Sequence, residues 1–192
     1  DYKIPHFSSY LLTIEEKTRL SNIVHKHPEI LQDDNTTLKN ISQWYLWAKN
    51  NGYQHYEVSN FAISPFQSKH NSSYWTQKNY IGIGPSAHSY IHPYRLWNTS
   101  SLRNYNNVKN DKLDFQYEIL NEKNIFNEYI MTRKEGVDLA DLTNRFNKKI
   151  AQYFIDQANK IPKEFIIKTD DKIYLTEEGW LIMDRILIDL FL

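Results

Sequence analysis

Between residues 6 and 61 the chain reads as strand, helix, strand, and that order constrains its fold more than any other feature. Residues 6–15 mix β-branched, aromatic and apolar side chains without Gly or Pro, the make-up of a buried strand. Residues 16–35 are polar and irregular. Thr36 or Thr37 can then cap a helix on which Leu38, Ile41, Tyr45 and Ala48 recur at helical spacing, and Gly52 stands where a left-handed residue would end it. Trp44 and Trp47 widen its apolar face, which predicts packing against a sheet. A second strand follows over residues 53–61, and Pro65 excludes further regular pairing. Two strands joined by a helix predict a parallel pair with a right-handed crossover, a piece of a (β/α) barrel. Thr13 and Glu15, at the carboxyl end of the first strand, would then face a site, although Glu15 reads equally well as a solvated strand end.

The second half has a different grammar. Apolar residues at Ile119, Leu120, Ile125, Phe126, Tyr129 and Ile130, with Gly136 as the stop, predict an amphipathic helix over residues 119–133. Asp138 caps a short helix through Phe146, and a longer one runs from Lys149 until Pro162 stops it. Residues 164–168 and 172–176 alternate apolar and polar around a Thr-Asp-Asp turn, a hairpin. Thr176, with Glu177 and Glu178 behind it, caps a closing helix over residues 180–192 that is apolar almost all round and should be buried partly against the first half. Helices, a hairpin wing and a closing helix predict a winged-helix-like unit. The polar, turn-forming stretch 89–110 reads as loop with a short turn of helix near Leu102 to Tyr105, and carries the boundary between the halves.

Lys plus Arg and Asp plus Glu both number 23 in a chain of 192 residues, so no single-sign field calls for nucleic acid or a membrane surface. A winged-helix end can still enter a groove, yet its Lys148, Lys149, Lys160 and Lys163 are interrupted by Asp156 and Glu164. Aromatics make up 15% of residues, enough for buried clusters or a stacking pocket. Cysteine is absent, which excludes disulfides and thiolate-bound clusters within this chain. No run of about 18 apolar residues is present, and the start resembles neither a signal peptide nor an initiator, so a cytoplasmic chain and part of a longer protein are expected.

Chemistry concentrates in residues 70–89. His70 lies beside Tyr74 and Trp75, and after Tyr80 comes a short apolar strand broken by Gly82 and Gly84, where a backbone without Cβ admits close approach. Imidazole can ligate iron axially, and aromatic faces can cover an apolar macrocycle. A lone imidazole on an irregular segment also fits a solvated side chain, and Tyr74 and Trp75 also fit a core; the residues alone favour that plainer reading. His25 with His27, and His88 with His92, have spacings that two metal ligands could use, but the first pair has no third ligand nearby and Pro93 breaks any helix under the second.

The run His70-Asn71-Ser72-Ser73-Tyr74-Trp75 resembles the His-Asn-x-x-Tyr-Trp motif of the HemW family of haem chaperones, relatives of the radical-SAM, oxygen-independent coproporphyrinogen III oxidases (HemN). Its neighbours agree in order. Residues 9–15 resemble an earlier barrel strand, residues 56–62 the last barrel strand, residues 81–89 the following Gly-rich segment, and Glu128, Arg133 and Gly136-Val137-Asp138 a C-terminal pattern.

The resemblance covers nearly the whole chain but only about half of the family's usual length. It implies an α/β fold, α+β overall: residues 1–100 would be the C-terminal part of a radical-SAM partial barrel, and residues 111–192 a winged-helix-like domain. By resemblance His70 is the candidate haem-iron ligand, Asn71 orients its segment, and Tyr74 and Trp75 form the pocket. Phe61 and Ala62 match the position that contacts S-adenosylmethionine. The [4Fe-4S] cluster of the full-length family needs cysteines that this chain lacks, so no catalytic residue is expected and the chain alone should be inactive. Haem binding and delivery is the first functional expectation. Decarboxylation of coproporphyrinogen III by a longer parent is the alternative. Expected partners are haem or a porphyrin, the missing barrel half and haem-accepting proteins; nucleic acid is not expected, and uncovered strand edges make a dimer plausible.

Overall fold

The computed structural model describes residues 4–107, 115–131 and 135–192. Strand β1 (His6–Ser8) is shorter than predicted. Residues 9–15 form no regular structure, and Tyr10, Leu11 and Leu12 are exposed, so Thr13 and Glu15 end no strand. The polar stretch after them is not irregular. It contains α1 (Arg19–Lys26), where the Thr18 hydroxyl accepts the Ser21 N–H at 3.1 Å. The next helix, α2 (Asp34–Asn50), begins slightly earlier than predicted because Asp33 caps it, accepting from Thr36 N at 2.9 Å. Gly52 follows with φ +80°, the left-handed conformation that its position calls for.

The run 53–61 is a hairpin of β2 (Gln54–His55) and β3 (Asn60–Ala62). The buried Glu57 carboxylate accepts the Ser59 N–H at 3.1 Å and the Tyr56 N–H reaches Asn60 O at 3.2 Å, so the chain reverses before the second strand can extend. Strand β3 therefore lies between β1 and β2, antiparallel to both, with Phe7 opposite Phe61. The predicted parallel pair is not formed, and every strand pair among the described residues is antiparallel. The apolar stripe of α2 does cover the sheet: Trp44 meets Phe7 edge-on at 5.4 Å, and Tyr45 sits 4.5 Å from His55, ring to ring.

Helix α3 (Lys69–Trp75) replaces the irregular segment expected at His70, because the Ser68 hydroxyl accepts the Asn71 N–H at 3.2 Å and starts a turn. The stretch expected as loop forms β4 (His88–Ile91) and β5 (Tyr94–Asn98), the turn of helix expected near Leu102 is α4 (Leu102–Asn106), and β6 (Phe115–Ile119) completes a sheet ordered β4-β5-β6. The predicted strand at Tyr80 shrinks to one bridge, Tyr80 to Tyr90. Because Ile119 belongs to β6, helix α5 (Glu122–Ile130) starts later than predicted, closed by a reciprocal Asn121–Asn124 capping box. Arg133 lies outside the described residues.

The C-terminal half follows the predicted order: β7 (Val137–Asp138), α6 (Leu139–Arg145), α7 (Lys148–Ala158), β8 (Ile166–Lys168), β9 (Lys172–Leu175), α8 (Glu177–Leu181) and α9 (Met183–Leu190). The strands pair β7-β9-β8. With α5 these helices close an apolar core around the fully buried Phe126, Tyr129, Leu142 and Phe154. The closing helix is broken at Ile182, whose φ of −121° leaves the helical range. Its Ile186, Leu187 and Leu190 enter the core, while Ile188 is exposed. Trp180 meets His55 edge-on at 5.7 Å, which is the expected contact with the first half. Among the described residues no helix is long and apolar enough to cross a membrane.

Candidate functional site

The Ser68 cap fixes one turn of α3 and so sets His70 and Tyr74 on one face, since residues four apart on a helix are neighbours. The Tyr74 hydroxyl and His70 Nε2 are 2.8 Å apart, and the rings are close to perpendicular. Tyr74 in turn packs edge-on against Tyr80 at 4.7 Å, and Tyr80 is fastened to β4 by paired backbone hydrogen bonds with Tyr90. His70 is exposed and Trp75 half-buried. Asn71 contributes its backbone N–H to the Ser68 cap.

Behind this aromatic shelf is a cavity of about 260 Å³ between α3, β5 and α5, bordered by Tyr74, Trp75, Tyr80, Tyr90, Arg95 and Glu128. Burial pushes the Tyr80 and Tyr90 phenols above their ordinary pKa. Burial opposes the charge of Arg95, but hydrogen bonds and charge from Glu128 and Glu118 outweigh it, so the guanidinium stays firmly protonated. The cavity is smaller than ordinary ligand pockets, which run from about 300 to 1,000 Å³, and is too small to enclose a macrocycle.

Phe61 and Ala62 sit elsewhere, on the central strand of the first sheet. Both are fully buried, with Phe61 stacked on Phe7 at 4.9 Å and on His55 at 4.5 Å. Phe61 borders a larger cavity of about 530 Å³ next to Tyr10, Trp44 and Trp180. His88 stacks on Trp97 and His92 is bonded through Nδ1 to the Tyr90 hydroxyl. Among the described residues no group of three or more His, Cys, Asp or Glu is placed to hold a metal ion.

One feature escaped sequence reasoning. Ile81 and Ile83 are 76% and 88% exposed, although the backbone between them is pinned. Asn98 Nδ2 donates to the carbonyls of both Gly82 and Gly84, the Gly82 N–H reaches Ser89 Oγ at 3.0 Å, and a Cβ on Gly82 would come within 2.1 Å of His88 O. The Ile-Gly-Ile-Gly alternation was the available signal: glycine where the backbone is gripped, isoleucine where the side chain projects.

The chain is 27% identical to the heme chaperone HemW of Lactococcus lactis, over 94% of this chain and 48% of that protein. It is 30% identical to HemW of Haemophilus influenzae, over 98% of this chain and 49% of that protein. The chain is a HemW relative. It spans about half the length of the curated HemW proteins it matches, in keeping with their C-terminal half. No family model matches the chain. Its fold is similar to that of the radical-SAM coproporphyrinogen III oxidase HemN of Escherichia coli, with a TM-score of 0.62 at 14% identity, over 84% of this chain and 42% of that one. The mixed α/β class expected for this HemW relative therefore holds. A thiolate-held iron–sulfur cluster does not fit the residues present, because the chain has no cysteine.

Proposed function

We propose that this HemW-like chain binds haem, or a closely related iron porphyrin, on the outer face of α3 and passes it to another protein. The observation that carries the reading is the exposed His70 imidazole standing at the edge of the Tyr74–Tyr80 shelf. Neutral imidazole supplies an axial nitrogen, and the aromatic edges offer an apolar support. Trp75 borders the cavity behind the shelf, and Asn71 helps start the helix that aims the imidazole. An exposed single ligand beside a cavity too small to enclose haem suits a cargo that must leave, not a resident group.

The division into units at residues 1–100 and 111–192 belongs to the same proposal. So does contact of S-adenosylmethionine with the backbone at Phe61 and Ala62, whose side chains are closed into the sheet. Haem-accepting proteins, a further barrel segment and a second copy are the partners the reading calls for. The second reading, a part of a coproporphyrinogen III oxidase, is favoured by the likeness to HemN. No step of that reaction is assigned to this chain, which lacks thiolates for the cluster.

Titration of the chain with haem, followed in the Soret band, tests the first reading. Saturable binding with an imidazole-type spectrum is expected, and the His70→Ala variant should lose it. A variant that gives the same band at the same affinity would reject His70 as the ligand. Neither reading expects the chain alone to cleave S-adenosylmethionine, and cleavage by it would overturn the expectation that the chain is inactive by itself.

A further inference from the structure

We propose that Tyr74 is a latch on the imidazole of His70: its hydroxyl occupies Nε2, and iron binds there only after the imidazole swings free. This deepens the haem reading and rests on it. The two side chains lie one turn apart on α3, with Oη and Nε2 2.8 Å apart, ring centroids 4.9 Å apart and planes 78° apart. With the imidazole proton on Nδ1, Nε2 accepts from the phenol; with the proton on Nε2, the imidazole donates. Either way no lone pair is open on Nε2 while the contact lasts.

The phenol is the fixed member. Its ring packs against Tyr80 at 4.7 Å and Trp75 at 6.4 Å, and Tyr80 is held by backbone bonds of 2.9 Å to and from Tyr90. His70 is the movable one, exposed at the second residue of the helix, and among the described residues only Tyr74 hydrogen-bonds to its ring. Opening in the Nδ1–H tautomer exchanges one O–H···N bond for one Fe–N bond, the phenol turns to water, and no electron or proton changes owner. On release the phenol recaptures Nε2, so the competitor that weakens binding also helps to clear the ligand from the iron.

The test is haem titration of the chain and of its Tyr74→Phe, His70→Ala and doubly substituted forms. Circular dichroism checks that Tyr74→Phe, which keeps the packed ring, leaves the helix content unchanged. Tyr74→Phe should bind about threefold to tenfold more tightly, the scale set by one solvent-competed hydrogen bond. Its Soret maximum should stay in place, and in the His70→Ala background the substitution should change nothing. Unchanged or weaker binding by Tyr74→Phe, or a moved Soret band, would overturn the latch while leaving His70 as ligand. Full binding by His70→Ala would instead reject His70 as the ligand, the assignment on which the latch rests.

Discussion

The guanidinium of Arg95 on β5 is shared between Glu118 on β6, at 3.0 Å, and Glu128 on α5, so one side chain ties the middle sheet to the first helix of the C-terminal core. The pair with Glu128 is about two-thirds shielded from solvent, and removing one partner leaves the other partly desolvated. Arg95→Met should lower stability to urea by about 1–2 kcal/mol after allowance for that exposure. The same substitution made on a Glu128→Gln background should cost clearly less. Equal costs on both backgrounds would show that the pair is not coupled.

Gly136 and Gly52 share a left-handed backbone but not their surroundings. At Gly136, φ is +83° and a Cβ would come within 2.6 Å of Ile173 O, whereas at Gly52, φ is +80° with open space around it. Gly52→Ala should cost about 1 kcal/mol from backbone conformation alone. Gly136→Ala should cost roughly 2–4 kcal/mol, since β7 must also move away from β9. Urea unfolding of the two variants side by side checks the difference.

The alkaline limit of stability should involve buried phenols. Burial raises the pKa of Tyr45, Tyr80 and Tyr90 above the ordinary value of 10.0. Their contribution to stability is fully present below the unfolded value and is lost as pH rises through the folded one. Stability should therefore begin to fall above pH 10 or so, where the unfolded chain releases these protons first. In an ultraviolet titration of the folded chain these tyrosines should ionise after the exposed ones, and replacing all three by Phe should flatten the alkaline decline.

Leu142 is fully buried in the C-terminal core, while Ile188, on the closing helix, is 62% exposed. Leu142→Ala should cost about 2–5 kcal/mol by leaving a cavity. Ile188→Ala should stay within about 0.5 kcal/mol. Comparable costs would mean that the outer face of α9 is covered by something else.

The C-terminal half was legible because its signals are local. Asp138 and Thr176 accept the N–H groups that their spacing predicts, although α5 ends at Ile130, before the Gly136 expected to stop it. The first half was less so. The composition of residues 6–15 reads as strand, but only His6–Ser8 finds a partner, and a run of apolar residues says nothing about whether one exists. The turn at Glu57 depends on a side chain bonding to a backbone two residues ahead, a feature that periodicity does not register, and it reverses the direction of the expected pair. With that reversal the expected parallel pair is not formed, and the haem reading rests on α3 and on the relatives. The site itself was half visible. The motif marked His70 and Tyr74, but their contact follows from helical spacing and becomes readable only once Ser68 is recognised as a cap.

The most direct test is spectroscopic assignment of the axial ligand in the haem-loaded chain, by electron paramagnetic resonance and resonance Raman, with His70→Ala compared against His88→Ala and His92→Ala. Loss of the imidazole signature in the His70 variant alone is the predicted result. Its survival there, or its loss in either of the other two, would contradict the assignment of α3 as the place where iron is held.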